Sequence, residues 1–347
     1  MRLPPQVERS FFLWWHGAHG LAIMSRAGQS TRIKAESPSL PSPTPPTTTR
    51  PPSNVPGIVR SARRPDGWRP GGPAPLGDQG RPELQPGAGE DLCFLSGDFR
   101  LFQRQDGHRW SLDDLVTAWF AAQLVATPPN EFLDLGCGIG SVLMMTAWCF
   151  PNAKGIGIEA QALSAQLARR SLAYNGLTGR IDLLEGDFRD AEEALQNKRF
   201  SLITGTPPYF DPAAGVQSEK PQCAPCRFEH RGGVETYCEV AARHLAPDGV
   251  FVMVAATPQA ERVRQAAQIL NLTWIQQLDV LPKEGKDSLI SLFAMSNGGA
   301  QLSENRFTAP VLLVRDQKLQ WSPAFQEVRT AMGMPTSWPN VDRDITR

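Results

Sequence analysis

Three short stretches carry residues whose types and spacing can do chemistry. Asp134-Leu-Gly-Cys-Gly-Ile-Gly140 places Gly136, Gly138 and Gly140 at alternate positions, and glycine lets a backbone approach a ligand closely. Ser141 stands where a dinucleotide-binding fingerprint has its third glycine, which argues against a nicotinamide or flavin reading. Glu159 closes the next apolar run, where a carboxylate can take both hydroxyls of a ribose, and Asp187, in Glu185-Gly-Asp-Phe188, closes the one after. Together these residues describe a nucleoside pocket without a pyrophosphate clamp. A glycine-rich turn alone is also how a tight strand–helix corner is built; the two carboxylates at successive strand ends set this one apart.

The third stretch is Thr206-Pro-Pro-Tyr-Phe210. Two prolines fix their own φ and push Thr206 out of the helical region, so the backbone here is extended and stiff. A stiff loop tipped by Tyr209 and Phe210 is either a packing corner or a place where something flat is held. Cys223-Ala-Pro-Cys226, with His230 and Cys238 nearby, can be drawn as a metal site, but the second C-x-x-C pair is absent and the stretch lies in a loop, so coincidental cysteines are the preferred reading and no metal is expected.

Positioning these groups requires a particular scaffold. From residue 131 short β-rich apolar runs alternate with longer segments of helical period, the pattern of a parallel sheet with crossover helices. Runs at 131–135, 154–158, 181–185, 201–204 and 250–255 read as strands, and the glycine turn, Glu159, Asp187 and the Pro-Pro loop each follow one of them. Two further runs, 273–281 and 289–295, are separated by Pro282-Lys-Glu-Gly285 and read as a terminal antiparallel pair. The expected fold is α/β: a seven-stranded, mostly parallel, doubly wound sheet.

Composition bounds the rest. Basic and acidic residues balance at 35 each, which gives no global electrostatic sign of a nucleic-acid partner. Residues 1–90 are dominated by Pro, Ser, Thr, Arg and Gly without a sustained period and are expected to be disordered. Their Arg-rich, acid-poor character fits an organellar transit peptide, hence chloroplast or mitochondrion; a solvated tail, or a start at Met24 in a cytoplasmic protein, fits as well. Residues 91–335 are expected as one globular domain and 336–347 as a disordered end. No apolar stretch is long enough to span a membrane, and six scattered cysteines suit a reduced, intracellular compartment.

The glycine turn with its two downstream carboxylates resembles the class I S-adenosylmethionine-dependent methyltransferases, whose sheet ends in such an antiparallel pair. The resemblance implies that S-adenosylmethionine is the methyl donor and that no metal is required. It assigns Asp134, Gly136, Gly138 and Gly140 to the methionine side, Glu159 to the ribose, and Asp187 and Phe188 to the adenine. Thr206-Pro207-Pro208-Tyr209 resembles the Asn/Asp-Pro-Pro-Tyr motif of the members that act on planar nitrogen, with Thr206 where most have Asn or Asp. In that reading the Thr206 oxygen and the Pro207 carbonyl accept the two protons of an exocyclic amine, localising its lone pair, while Tyr209 stacks on the base.

The segment from Leu101 to Ala118, with Gly107, Arg109, Ser111 and Asp113, is similar to the entry segment of the bacterial tRNA(Val) adenine-N6 methyltransferases. The implied acceptor is adenine N6 in tRNA, with Arg109, Asp113, Phe210 and Arg227 toward the substrate. Each has a plain reading as well: Arg109 and Arg227 as surface ion-pair partners, Asp113 as a helix cap. The alternatives are a protein glutamine or small-molecule acceptor, or a catalytically silent fold that binds RNA or a partner subunit.

Overall fold

The folded part of the chain starts well before residue 91. The structure, a computed structural model, describes residues 55–61, 64–213, 222 and 226–337. Strands β1 (Ile58–Val59), β2 (Glu90–Phe94) and β3 (Arg100–Arg104) form a small sheet, β1 parallel to β2 and β2 antiparallel to β3. The expected tail is corrected accordingly: the stretch 55–90 is tied down by pairings that its composition does not display. Arg60 donates to the buried Asp91 at 2.7 and 3.1 Å, and Arg170 reaches back to the carbonyls of Glu83 and Gln85 and to the Glu90 carboxylate. Residues 1–54, which carry the targeting reading, and 338–347 lie outside the described residues.

Helix α1 (Leu112–Leu124) leads into the main sheet. There follow β4 (Glu131–Leu135), α2 (Ser141–Cys149), β5 (Lys154–Glu159), α3 (Ala162–Tyr174), β6 (Ile181–Glu185), the short α4 (Glu192–Leu195) and β7 (Phe200–Gly205). After the Pro-Pro loop come α5 (Val234–His244), β8 (Leu245–Ala256), α6 (Ala260–Ile269), β9 (Thr273–Leu281), β10 (Ile290–Ser296), β11 (Val311–Leu313) and α7 (Pro323–Ala331). The strand order is β11-β9-β10-β8-β7-β4-β5-β6. The pairs from β6 across to β8 are parallel, and β10 runs antiparallel to both β8 and β9. The expected seven strands are thus present with their antiparallel end, and an eighth, β11, pairs parallel with β9 and covers what would be an open edge.

The burial pattern explains why these runs are strands. Residues 250–256 of β8 and all of β10 are buried, as a strand covered on both faces must be, and their apolar runs are accordingly almost unbroken. Strand β4 lies between β5 and β7, where successive connections leave in opposite directions, so a crevice opens at the carboxyl ends of these strands. Among the described residues no helix is long and apolar enough to cross a membrane.

Candidate active site

Into that crevice β4 delivers the glycine turn and β5 delivers Glu159. All three glycines have left-handed backbones, with φ of 62° at Gly136, 58° at Gly138 and 87° at Gly140. Glycine alone adopts these values without strain, and a side chain at 138 would project into open space. Glu159 is buried, and its two oxygens accept from the amides of Gly138 at 2.9 Å and Gln161 at 2.7 Å. Burial raises its pKa, with those two amides working the other way. Each oxygen keeps a second lone-pair direction, so a carboxylate held only by backbone can still receive a pair of hydroxyls.

Asp134, 1% exposed, accepts from Thr204 Oγ at 2.8 Å through Oδ1, while Oδ2 is buried without a hydrogen-bond partner among the described residues. Burial pushes its pKa up to about 7, against the pull of the Thr204 bond. A buried carboxylate oxygen without a partner is costly, and a cationic group brought against it would relieve that cost. Asp187, at the end of β6, is drawn below the ordinary range by Arg189, which donates to both its oxygens at 2.9 and 2.6 Å. Phe188 turns inward and packs edge-on against Tyr237, ring centroids 4.6 Å apart.

The Pro-Pro loop leaves the end of β7 beside this pocket and is pinned on three sides. The Tyr209 hydroxyl donates to Asp113 Oδ2 at 2.8 Å, and burial together with that carboxylate raises the phenol's pKa well above its usual value. Asp113 also receives the Ser111 hydroxyl, while Asp114 accepts from the Ser111 amide at 2.7 Å and from Ser141 Oγ at 2.7 Å. The first turn of α1 therefore clasps the acceptor loop with one carboxylate and the start of α2 with the next. Burial and the neighbouring Asp113 charge raise Asp114 to about 6. His108 answers this acidic pair: burial works against its charge, but the Cys226 sulfur, Asp114 and Asp113 carry it up to about 9.

Behind the aromatics, Phe210 exchanges backbone bonds with the returning chain, its amide donating to Arg227 O at 2.9 Å and its carbonyl accepting from Glu229 N at 2.9 Å. That places Arg227 next to the loop. Glu229 in turn receives Arg262 at 2.9 and 3.0 Å and Gln259 at 2.9 Å, and Gln259 reaches the Tyr209 carbonyl at 3.4 Å. The loop is thus anchored through both the side chain and the main chain of Tyr209.

The structure brings together Asp113, Asp134, the three glycines, Glu159, Phe188 and the Thr206–Phe210 loop. Arg109 turns its guanidinium to the buried Asp91 at 2.8 Å, a carboxylate it shares with Arg60, as the plain ion-pair reading expects. The carboxylate of Asp187 is taken by Arg189, with Arg231 at 3.8 Å. Asp114, Glu229, Gln259 and Tyr237 belong to the site, though the spacing of motifs does not mark them. For Asp114 a signal exists, a carboxylate three residues after Ser111 as in a capping box. Cys223 of the cysteine pair lies outside the described residues.

These groups fit an adenosyl amino acid: a backbone-held carboxylate for the ribose, glycines at the close approach, and an unpartnered carboxylate oxygen for a cation. A methyltransferase-domain family model matches residues 132–214. A tRNA1(Val) (adenine(37)-N6)-methyltransferase of Shewanella amazonensis is 34% identical over 188 residues, covering 54% of this chain and 76% of the relative. A protein of the same name from Porphyromonas gingivalis is 28% identical over 181 residues, covering 51% of this chain and 70% of the relative. A ribosomal protein uL3 glutamine methyltransferase of Bradyrhizobium diazoefficiens is 31% identical over 181 residues, covering 50% of this chain and 52% of that protein.

Proposed function

Because the chain belongs to the tRNA1(Val) adenine-N6 methyltransferase family of S-adenosylmethionine-dependent enzymes, we propose that it methylates the exocyclic N6 of an adenine in tRNA. The donor carries its own reactivity as a sulfonium, so the protein has to supply placement and electrostatics. Glu159 would hold the ribose, Gly136, Gly138 and Gly140 would let the donor lie close to the backbone, and Asp134 would face its ammonium.

At the acceptor, an exocyclic amine is a weak nucleophile because its lone pair is delocalised into the ring. The Thr206 hydroxyl and the Pro207 carbonyl accept its two N–H bonds and turn the lone pair out of conjugation, toward the crevice. Tyr209 supplies a flat ring held rigid by Asp113, on which a base swung out of its loop stacks. The observation that carries this reading is that anchor, which fixes the Pro-Pro loop at the mouth of the nucleoside pocket.

Methyl transfer from labelled donor to total tRNA, followed by nucleoside analysis, tests it. N6-methyladenosine is the expected product. The glutamine methyltransferase among the relatives favours a second reading, a protein glutamine acceptor, and label appearing in protein extract instead of tRNA would establish that one. Donor binding without transfer to either pool would point to a silent module.

A further inference from the structure

Tyr237 puts a polar atom into the donor crevice that none of the roles above employs. It closes the first turn of α5, and its residue is 5% exposed. The ring lies in a slot made by two glycines at neighbouring strand ends. A Cβ added to Gly205 would stand 2.7 Å from Tyr237 Cδ1, and one added to Gly136 would collide with the Tyr237 hydroxyl. Leu135 of β4 pairs with Gly205 of β7, so the phenol bridges the two strands at the level where one leads to the glycine turn and the other to Thr206.

The hydroxyl makes no hydrogen bond to any described residue. A phenylalanine would fill the same slot and keep the edge-on contact with Phe188, so packing alone does not call for the hydroxyl. Burial, and then the charges of Glu159 and Asp134, keep the phenol protonated, so it can donate as well as accept. Its place decides what it meets. Glu159 takes the ribose at the end of β5, and Gly136 lies one strand further toward the acceptor loop. Asp134, which in the reading above faces the donor's ammonium, stands two residues before Gly136 and its charge acts on the phenol, so the part of the donor nearest the hydroxyl is the amino-acid arm, with a carboxylate and an ammonium.

We propose that Tyr237 is a donor-binding residue whose hydroxyl hydrogen bonds the amino-acid arm of the methyl donor over Gly136, setting how the reacting end is presented toward Thr206. The inference rests on the donor-site reading above. It is tested with the full chain and Tyr237→Phe by calorimetric titration of S-adenosylmethionine and of methylthioadenosine, which keeps the nucleoside and lacks the arm. The variant is expected to bind S-adenosylmethionine about tenfold more weakly, methylthioadenosine equally well, and to unfold at the same temperature or higher without ligand. Equal affinity of both proteins for S-adenosylmethionine, or an equal loss for both ligands, overturns the inference while leaving the donor site in place. Failure of the unaltered chain to bind either ligand overturns the donor-site reading, and the inference with it.

Discussion

The hydroxyl of Tyr209 donates to Oδ2 of Asp113 at 2.8 Å, joining the loop after β7 to the first turn of α1 across ninety-six positions of sequence. A hydrogen bond to a charged group is worth about 1.5–3 kcal/mol, and here it fixes the flat ring that the proposed function gives to the acceptor. Tyr209→Phe keeps the ring and removes the tether. Turnover is expected to fall on the order of tenfold to a hundredfold. The donor dissociation constant should stay within about twofold, since the tether touches none of the groups assigned to the donor. An equal loss of donor affinity in calorimetry would show that the bond serves general folding instead.

Thr206 bears on the acceptor more narrowly. Thr206→Val preserves the β-branched shape and removes the oxygen, so one of the two acceptors for the amine is lost. Methyl transfer is expected to drop about tenfold or more, with donor affinity unchanged, and Thr206→Ser to keep most of the activity. Single-turnover kinetics at saturating donor separates these effects. Full activity in the valine variant would move the amine contact away from Thr206.

The parts of this site that were legible in the sequence are those set by local rules. Left-handed glycines, a carboxylate at a strand end and a proline-stiffened loop each announce themselves within a few residues, and the alternating apolar runs match the strands to within a residue or two, except that β8 begins at Leu245, five residues before its apolar run. What stayed hidden depends on who meets whom across the fold. Arg109 turns to Asp91 because β2 and Arg60 bring a buried carboxylate beside it. The Glu229–Arg262–Gln259 support joins the returning chain to the start of α6, and Tyr237 enters the crevice only because Gly136 and Gly205 lie side by side at neighbouring strand ends. The pairings of residues 55–90 are of the same kind, contacts over distance with no period of their own.

Glu159 gives a prediction that combines stability and binding. Its two oxygens each accept a backbone amide, from Gly138 and from Gln161. Glu159→Gln turns one acceptor into a donor that faces one of those amides, so the glycine turn loses a tether. The variant is expected to be less stable by about 1–3 kcal/mol and to bind S-adenosylmethionine at least tenfold more weakly. Denaturant titration and calorimetry measure the two. Undiminished donor binding would remove Glu159 from the pocket.

Asp134 sets opposite pH trends for the free protein and for donor binding. Burial raises its pKa from 3.8 to about 7, so the folded chain holds this proton more tightly than the unfolded chain. The stability linked to it is fully present below the unfolded value and is lost as pH rises through about 7. Asp114, raised to about 6, adds a trend of the same sign over a lower range. Binding runs the other way. If the ammonium of the donor meets Asp134, only the charged carboxylate attracts it, and donor affinity should climb as pH rises through about 7, with proton release on binding at neutral pH. Asp134→Asn removes both effects at this position: its melting temperature should vary less with pH, and its weakened donor affinity should become nearly flat across neutrality. Calorimetry in buffers of different ionisation enthalpy counts the released protons. A wild-type affinity that does not change across neutrality, or an equal slope in the Asn variant, would place the donor's cation elsewhere than against Asp134.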